Sequence, residues 1–148
     1  MTADIITIYT DGGCTGNPGP GAWAALLIYR KKQKEITGFA PETTNNRMEM
    51  MAAVQALQCI TNKKIPITLY TDSKYLMDGM NKWRHQWKKA GWKTANKQPV
   101  KNQDLWEELD TLADALDITW HWVKGHSGHP ENEYVDGLVQ KTIKHNKN

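Results

Sequence analysis

The sequence predicts an α/β domain in which helices flank one mixed β-sheet. Short apolar segments typical of strands alternate with segments of helical periodicity, in the order βββαβαβα. The 148 residues, of which 39% are hydrophobic and 24% charged, suffice for one core and exclude fibrous and wholly disordered classes. No long repeat, low-complexity segment or linker divides the chain. Residues 1–148 are therefore predicted to form a single domain.

The elements follow from the pattern in chain order. Two apolar runs and a third segment predict an antiparallel meander, and the Gly- and Pro-rich stretch after the first run predicts a turn. A helix from Thr44 follows, with Thr43 or Thr44 as its N-cap. The predicted strands are 5–10, 22–29, 34–40, 65–71 and 118–123, the turn is 11–21, and the later helical segments are 73–90, Asn102 or Gln103 to Leu112, and 131–144. The short basic tail after Lys141 is expected to fray.

The distribution of charge predicts a polyanionic partner. The net charge is +3, yet residues 79–103 contain seven cations and no acid, which leaves −4 for the rest of the chain. Trp83, Trp87 and Trp92 lie among these lysines and can stack on bases or sugars. Trp83 and Trp87 are also four residues apart, so the alternative is that they anchor a helix to the core.

A repeated triplet predicts a metal site. Tyr9-Thr10-Asp11 and Tyr70-Thr71-Asp72 each place an aspartate at the end of a predicted strand, and two parallel neighbours would bring both carboxylates to one sheet edge. Adjacent carboxylates repel unless a cation neutralises them, and oxygen ligands favour Mg²⁺ or Mn²⁺ over zinc. The alternative is that each aspartate only ends its strand or caps the following turn.

Glu49 and His126 are further candidates. Glu49 lies on the border of the apolar face of the first helix, where a carboxylate is costly unless it is paired or bound to metal. His126 lies in a Gly-rich loop before the last helix, where it can exchange protons near neutral pH, although most lone loop histidines have no such role.

Six segments follow the motifs of a known family in the family's order. They are YTDGGCTGNPGPG (9–21), TTNNRMEMM (43–51), LYTDSKY (69–75), KKAGWKT (88–94), PVKNQDLW (99–106) and WVKGHSGHPEN (122–132). With these segments the chain resembles type 1 ribonuclease H of the bacterial kind. The resemblance implies a mixed five-stranded sheet of order 3-2-1-4-5 with strand 2 antiparallel. It also implies hydrolysis of the RNA strand of RNA/DNA hybrids by two Mg²⁺ ions, for which Mn²⁺ can substitute, giving 5′-phosphate and 3′-hydroxyl ends.

The resemblance also assigns residues to the site. Asp11, Glu49, Asp72 and Asp136 match the four metal-binding carboxylates of the family, and His126 matches the histidine that assists proton transfer and product release. The expected contacts to the RNA strand, across the minor groove, are Cys14, Gly16, Asn17, Asn45 and Asn46. The DNA strand is expected to meet a basic protrusion at about 82–101, including Trp83, Lys88, Lys89 and Lys93, with Thr44 and Asn102 as phosphate contacts.

Two positions depart from the family's pattern. Lys74 stands where bacterial members often have Gln, and since Lys has no acceptor, a phosphate contact is expected there rather than a base contact. Gly137 follows Asp136 where the family usually has an acidic residue, and glycine lowers helix stability by about 1 kcal/mol relative to Ala.

Composition and the resemblance together predict a monomer that binds RNA/DNA hybrid in the cytoplasm, away from membranes. Two cysteines are too few for a disulfide framework, and the longest apolar run, 22–29, is far shorter than a bilayer span. The N-terminus also lacks the pattern of a secretory signal. Two other classes stay open: an integrase-like or reverse-transcriptase-associated nuclease of the same fold, and a non-catalytic module that binds hybrids.

Overall fold

A computed structural model describes residues 4–125 and 129–146. Its five strands form one sheet of order β3-β2-β1-β4-β5. The strands are β1 (Ile6–Cys14), β2 (Gly19–Tyr29), β3 (Lys32–Thr43), β4 (Ile67–Thr71) and β5 (Ile118–Trp122). β2 is antiparallel to both of its neighbours, whereas β4 is parallel to β1 and β5 is parallel to β4. The predicted fold class and strand order are therefore confirmed.

Helices connect and cover the strands. They are α1 (Asn45–Gln58), α2 (Lys74–Asp78), a π-helical turn (Gly79–Trp83), α3 (Arg84–Lys89), α4 (Gln103–Ala115) and α5 (Pro130–Asn146). α2, the π-helical turn and α3 follow one another without a break. Within the described ranges, no helix combines the length and apolarity needed to cross a bilayer.

Both faces of the sheet are buried, and β2 shows this most clearly. Ala25 and Leu27 belong to the larger core, beneath α1 and α4, while Ala24 and Leu26 pack with α5 on the opposite face. Neighbouring residues of a strand point to opposite faces, so a strand covered on both sides needs a continuous apolar run. That requirement explains the unbroken apolar segment 22–29 in the sequence.

The predicted turn at 11–21 is much shorter in the structure. β1 continues to Cys14 and β2 already begins at Gly19, because Gly12 and Gly13 pair with Trp23 and Ala22 across the two strands. Asp11 therefore lies inside its strand and not at the end of the strand, where the sequence predicts it. It lies two residues beyond Tyr9, the last residue of β1 that pairs with β4.

The end of the chain also differs from the expectation of a frayed tail after Lys141. α5 stays helical through Asn146, and Ile143 is only 5% exposed. Ile143 belongs to the same small core as Val135 and Val139, which lie eight and four residues before it on the same helix face. The apolar contacts of Ile143 thus extend the helix past the basic residues.

Candidate active site

Carboxylates from three elements meet at one end of the sheet. Asp11 of β1, Glu49 of α1 and Asp72, directly after β4, each offer an oxygen within 4.8 Å of the other two. Asp11 is 5% exposed and Glu49 8% exposed. Asp136 of α5 lines the same open cavity of about 400 Å³. The structure thus brings together the four carboxylates that the sequence singled out.

Gly12 allows Glu49 to lie beside Asp11. A Cβ atom at position 12 would lie 2.3 Å from the carbonyl carbon of Met48 and 2.5 Å from the backbone nitrogen of Glu49. The backbone of α1 therefore rests directly on β1, which only glycine permits at this point. Sequence analysis missed this role, because its only signal was a glycine pair that also fits a turn.

Burial and mutual repulsion keep protons on this cluster in the absence of metal. The pKa of Asp11 is raised to about 8, chiefly by the loss of hydration on burial and then by the neighbouring Asp72 and Asp136. The pKa of Glu49 is also raised well above its usual range, first by burial and then by Asp11 and Asp72. Oε1 of Glu49 is buried and has no hydrogen-bond partner within residues 4–125 and 129–146. A bound cation would remove the repulsion between the carboxylates and could be coordinated by this oxygen.

Comparisons with known proteins establish the family. The model of the RNase H family matches residues 3–144. A Ribonuclease H of Alcanivorax borkumensis is 59% identical over 138 residues, which cover 93% of this chain and 91% of the relative. A Ribonuclease HI of Caulobacter vibrioides is 55% identical over 139 residues, 94% of this chain and 93% of that protein. The chain belongs to the RNase H family.

Solved structures agree with the sequence relatives. LC9-RNase H1, described as a type 1 RNase H with the type 2 active-site motif, matches with a TM-score of 0.85 at 30% identity, over 98% of this chain and 74% of that one. LC11-RNase H1, solved in complex with an RNA/DNA hybrid, has a TM-score of 0.73 at 20% identity, over 97% and 99%. The RNase H fold is confirmed, and the chain, like its relatives, is an endoribonuclease.

Next to the carboxylates of this RNase H, Asn45 joins the β1–β2 turn to the start of α1. Its side-chain oxygen accepts a hydrogen bond from the backbone nitrogen of Cys14 at 2.8 Å, and its own backbone nitrogen donates to Oδ1 of Asn17 at 3.1 Å. Gly16, with φ of +67°, allows the tight turn between Cys14 and Asn17. Asn46 lines the carboxylate cavity. Of the five residues expected to contact the RNA strand, Asn45 and Asn46 thus line the cavity of the acids, while Cys14, Gly16 and Asn17 belong to the β1–β2 connection that is hydrogen-bonded to Asn45.

Arg47 connects the two residues expected to contact phosphates. Oγ1 of Thr44 caps α1 by accepting a hydrogen bond from the backbone nitrogen of Arg47 at 3.2 Å. The Arg47 guanidinium donates to Oδ1 of Asn102 at 3.1 Å and pairs with Asp104 at 2.8 Å. Asn102 in turn donates to the Tyr75 hydroxyl at 3.1 Å. Sequence analysis did not identify Arg47, because its partners lie more than fifty residues away in the chain.

The tryptophans of the basic segment pack against the body of the protein. Trp87 contacts Trp106 of α4 and Trp83, with ring centroids 5.4 and 5.6 Å apart. Trp83 also meets Tyr75 edge-on at 6.1 Å. The alternative interpretation, that these residues anchor a helix, therefore holds in the structure. Trp83 nevertheless stays partly exposed.

Ion pairs distinguish the lysines of this segment. Lys88 lies 3.0 Å from both Asp110 and Asp114 of α4, and Arg84 lies 2.6 Å from Asp110. The hydrogen bond with Asp110 is the largest cause that raises the pKa of Lys88. Lys89 and Lys93 are exposed, and they form no salt bridge with any residue in the described part of the chain.

The loop before α5 starts against the carboxylate cluster. A Cβ atom on Gly125 would lie 3.0 Å from Oδ2 of Asp72. His126, the expected proton carrier, lies outside the described residues. In the first turn of α5, one turn before Asp136, Oδ1 of Asn132 is buried and finds no hydrogen-bond partner in the described part of the chain. Sequence analysis did not single out Asn132, which has no local signal beyond its place in the loop motif.

Proposed function

We propose that this RNase H hydrolyses the RNA strand of RNA/DNA hybrids with two divalent cations, Mg²⁺ in the cell or Mn²⁺ in its place, and leaves 5′-phosphate and 3′-hydroxyl ends. This proposal rests on the four carboxylates that line one cavity: the buried Asp11 and Glu49, together with Asp72 and Asp136. The complex of LC11-RNase H1 with an RNA/DNA hybrid supports the choice of substrate.

The residues present fit hard divalent cations. The donors are carboxylate oxygens, which Mg²⁺ and Mn²⁺ prefer, and Oε1 of Glu49 has no hydrogen-bond partner among the described residues. Asp11, Glu49, Asp72 and Asp136 would hold the cations. Bound there, the cations would activate the attacking water and stabilise the leaving 3′-oxygen.

The protein residues around the acids then have distinct tasks. Asn45 and the β1–β2 turn form a polar surface next to the cavity, suited to the 2′-hydroxyls that distinguish RNA from DNA. Thr44 and Asn102 would bind phosphates. His126 would carry a proton and assist product release. Hybrid binding by a non-catalytic module would not require four acids around one cavity, two of them buried.

The DNA strand would lie along the basic segment. Lys89 and Lys93 would contact its phosphates, because both are exposed and have no acidic partner among the described residues. Trp83 would contribute its exposed edge. Lys88 shares its charge with Asp110 and Asp114, so a smaller part in binding is expected of it.

Cleavage of strand-labelled hybrids tests this function. With the RNA or the DNA labelled in separate reactions, only the RNA should be cut, and only when Mg²⁺ or Mn²⁺ is present. The RNA fragments should carry 3′-hydroxyl ends that a polymerase can extend. Asp72→Asn should abolish cleavage while the circular dichroism spectrum and hybrid binding stay close to those of the wild type.

Two outcomes would contradict the proposal in different ways. Efficient cutting of duplex DNA or duplex RNA would refute the substrate assignment, because the site is expected to need one ribose and one deoxyribose strand. Undiminished cleavage by Asp72→Asn would refute the assignment of the metal ligands.

A further inference from the structure

The ammonium group of Lys74 rests on an aromatic ring at the rim of the carboxylate cavity. Nζ of Lys74 lies 5.0 Å from the ring centroid of Trp122, within the range of a cation–π contact. Lys74 lines the same cavity as the four acids. Trp122 ends β5 and is 42% exposed. An exposed tryptophan therefore holds a cation beside an acidic site.

The indole ring of Trp122 is held in place by the backbone of Asp72. Its indole N–H donates a hydrogen bond to the backbone carbonyl of Asp72 at 3.0 Å. The ring is thus oriented by the residue that follows β4, and the ammonium two residues later lies over that ring. This contact joins the ends of two neighbouring parallel strands.

Helix stability and ion pairing do not explain a lysine at position 74. Lys74 is the first residue of α2, with Ser73 as the N-cap, and a positive charge is unfavourable at that end of a helix. Among the residues that the structure describes, Lys74 forms no salt bridge, although it shares a cavity with four carboxylates. The contact with the ring holds the ammonium away from the carboxylates, where it would compete with a metal ion for their oxygens.

We infer that Trp122 is a positioning residue that holds the ammonium of Lys74 over its indole ring, so that Lys74 binds a phosphate of the RNA strand next to the cut bond and leaves the carboxylates free for metal. The choice of strand rests on the proposed function, since the strand that is cut must occupy the carboxylate cavity. Lys74 offers only donors, and phosphate oxygens are the strongest acceptors of a nucleic acid strand near that position.

Binding measurements without turnover test the contact. Hybrid affinity is measured against salt concentration with Mg²⁺ in an Asp72→Asn background, which is expected to block cleavage and to leave hybrid binding intact. Lys74→Gln should make the negative slope of log K against log salt less steep by about 0.9, the value of one phosphate contact on duplex DNA. Lys64→Gln is the matched control, because Lys64 precedes β4 at the opposite end of the sheet. It should leave the slope unchanged.

Substitutions at Trp122 separate the ring from the hydrogen bond. Trp122→Phe keeps an aromatic face and should retain the parent slope, whereas Trp122→Leu should reproduce the slope of Lys74→Gln. Calorimetric titration with Mg²⁺, without hybrid and with all four carboxylates intact, gives a second readout. Trp122→Leu should weaken Mg²⁺ binding several-fold by releasing the ammonium toward the acids, and the double variant Trp122→Leu/Lys74→Gln should recover most of that loss.

The inference is overturned if Lys74→Gln keeps the parent slope, or if Trp122→Leu changes neither the slope nor Mg²⁺ binding. Equal behaviour of Trp122→Phe and Trp122→Leu would overturn the positioning by the ring. Lys74 is exposed, so its substitution leaves the fold intact even if a Trp122 variant fails to fold. Failure of the wild type to cleave labelled hybrid would count against the proposed function and not against these slopes.

Discussion

At the scale of single residues, the proposed metal ligand Asp11 makes the stability of the fold depend on pH. Without metal its pKa in the folded protein is about 8, against 3.8 for an unperturbed carboxyl. Between these values the folded state keeps a proton that the unfolded state has lost. The free energy of unfolding must therefore fall as pH rises from about 4 to about 8. A bound divalent cation offsets this loss, since it stabilises the ionised form.

Replacement of Asp11 by an uncharged amide should expose this coupling. In EDTA, the melting temperature of the wild type should fall as pH is raised from 5.5 to 8.5. Asp11→Asn should show a weaker fall and a higher melting temperature at the alkaline end. Some pH dependence should remain, because the pKa of Glu49 is raised as well. Thermal unfolding followed by circular dichroism measures both.

The same experiment with Mg²⁺ provides the control. Added Mg²⁺ should raise the melting temperature of the wild type most at alkaline pH, and should have little effect on Asp11→Asn. Identical pH profiles for the two proteins in EDTA would show that the pKa of Asp11 is not raised in the folded protein.

At the scale of elements, α5 combines a functional residue with a weak helical position. Gly137 directly follows Asp136, it is exposed, and a Cβ atom there would meet no atom within 4 Å. Nothing in the described structure requires glycine at this site. The glycine therefore leaves the helix less stable without improving its packing.

Gly137→Ala should stabilise the protein by about 0.5–1 kcal/mol, because alanine loses less backbone entropy in a helix. Urea-induced unfolding measures this change, and kcat should change little, because a methyl group at this exposed position would contact no other described residue. Gly79→Ala is the matched control of opposite sign. A Cβ atom at Gly79 would lie 1.9 Å from the ring of Trp106, so it should destabilise the protein. A destabilised Gly137→Ala variant would contradict the conclusion that the structure does not require glycine at position 137.

The order and type of the elements could be predicted from the sequence, because the spacing of apolar residues differs between a half-buried strand and a half-buried helix. Their ends could not. Gly12 and Gly13 belong to β1 since Trp23 and Ala22 pair with them, and pairing between strands leaves no mark in local composition. Likewise α5 extends to Asn146 through the packing of Ile143.

The site was predictable to different degrees for a similar reason. Asp11 and Asp72 share a triplet, and Glu49 stands out on an apolar helix face. Asp136 was assigned through the family's motif, because a single aspartate on a helix surface has no local signal. Gly12, Arg47 and Trp122 were missed, since each acts on residues far away in the chain: Met48, Asp104 and Asp72.

At the scale of the whole molecule, basic and acidic residues are segregated in sequence and partly matched in space. Arg84 and Lys88 of the basic segment pair with Asp110 and Asp114 of α4, and Arg84 and Asp110 are 14% and 8% exposed. Part of the positive charge thus attaches α3 to α4. Other cations of the segment, such as Lys89 and Lys93, remain available to bind a polyanion.

Substitution should separate these two uses of charge. The double variant Lys89→Ala/Lys93→Ala should flatten the salt dependence of hybrid binding by up to two contacts, at about 0.9 each. Its KM should rise while kcat at saturating hybrid changes little, as expected for lost ground-state binding. Lys88→Ala, the matched control, should change the slope much less and lower stability only slightly, because its ion pairs with α4 are partly exposed. If all three lysines contribute equally to the slope, the pairing with α4 does not decide which of them bind.

The sheet order also has a consequence for synthesis of the chain on the ribosome. β1 forms the middle of the sheet, yet one of its partners is the adjacent β2 and the other is β4, with Ile6 opposite Ile67. β1 emerges from the ribosome well before β4, because Ile67 lies 61 residues after Ile6 in the chain. At about 5–20 residues per second, one edge of the central strand then stays unpaired for roughly 3–12 s. During that interval the nascent chain presents an apolar strand edge that chaperones, or other nascent chains, can reach.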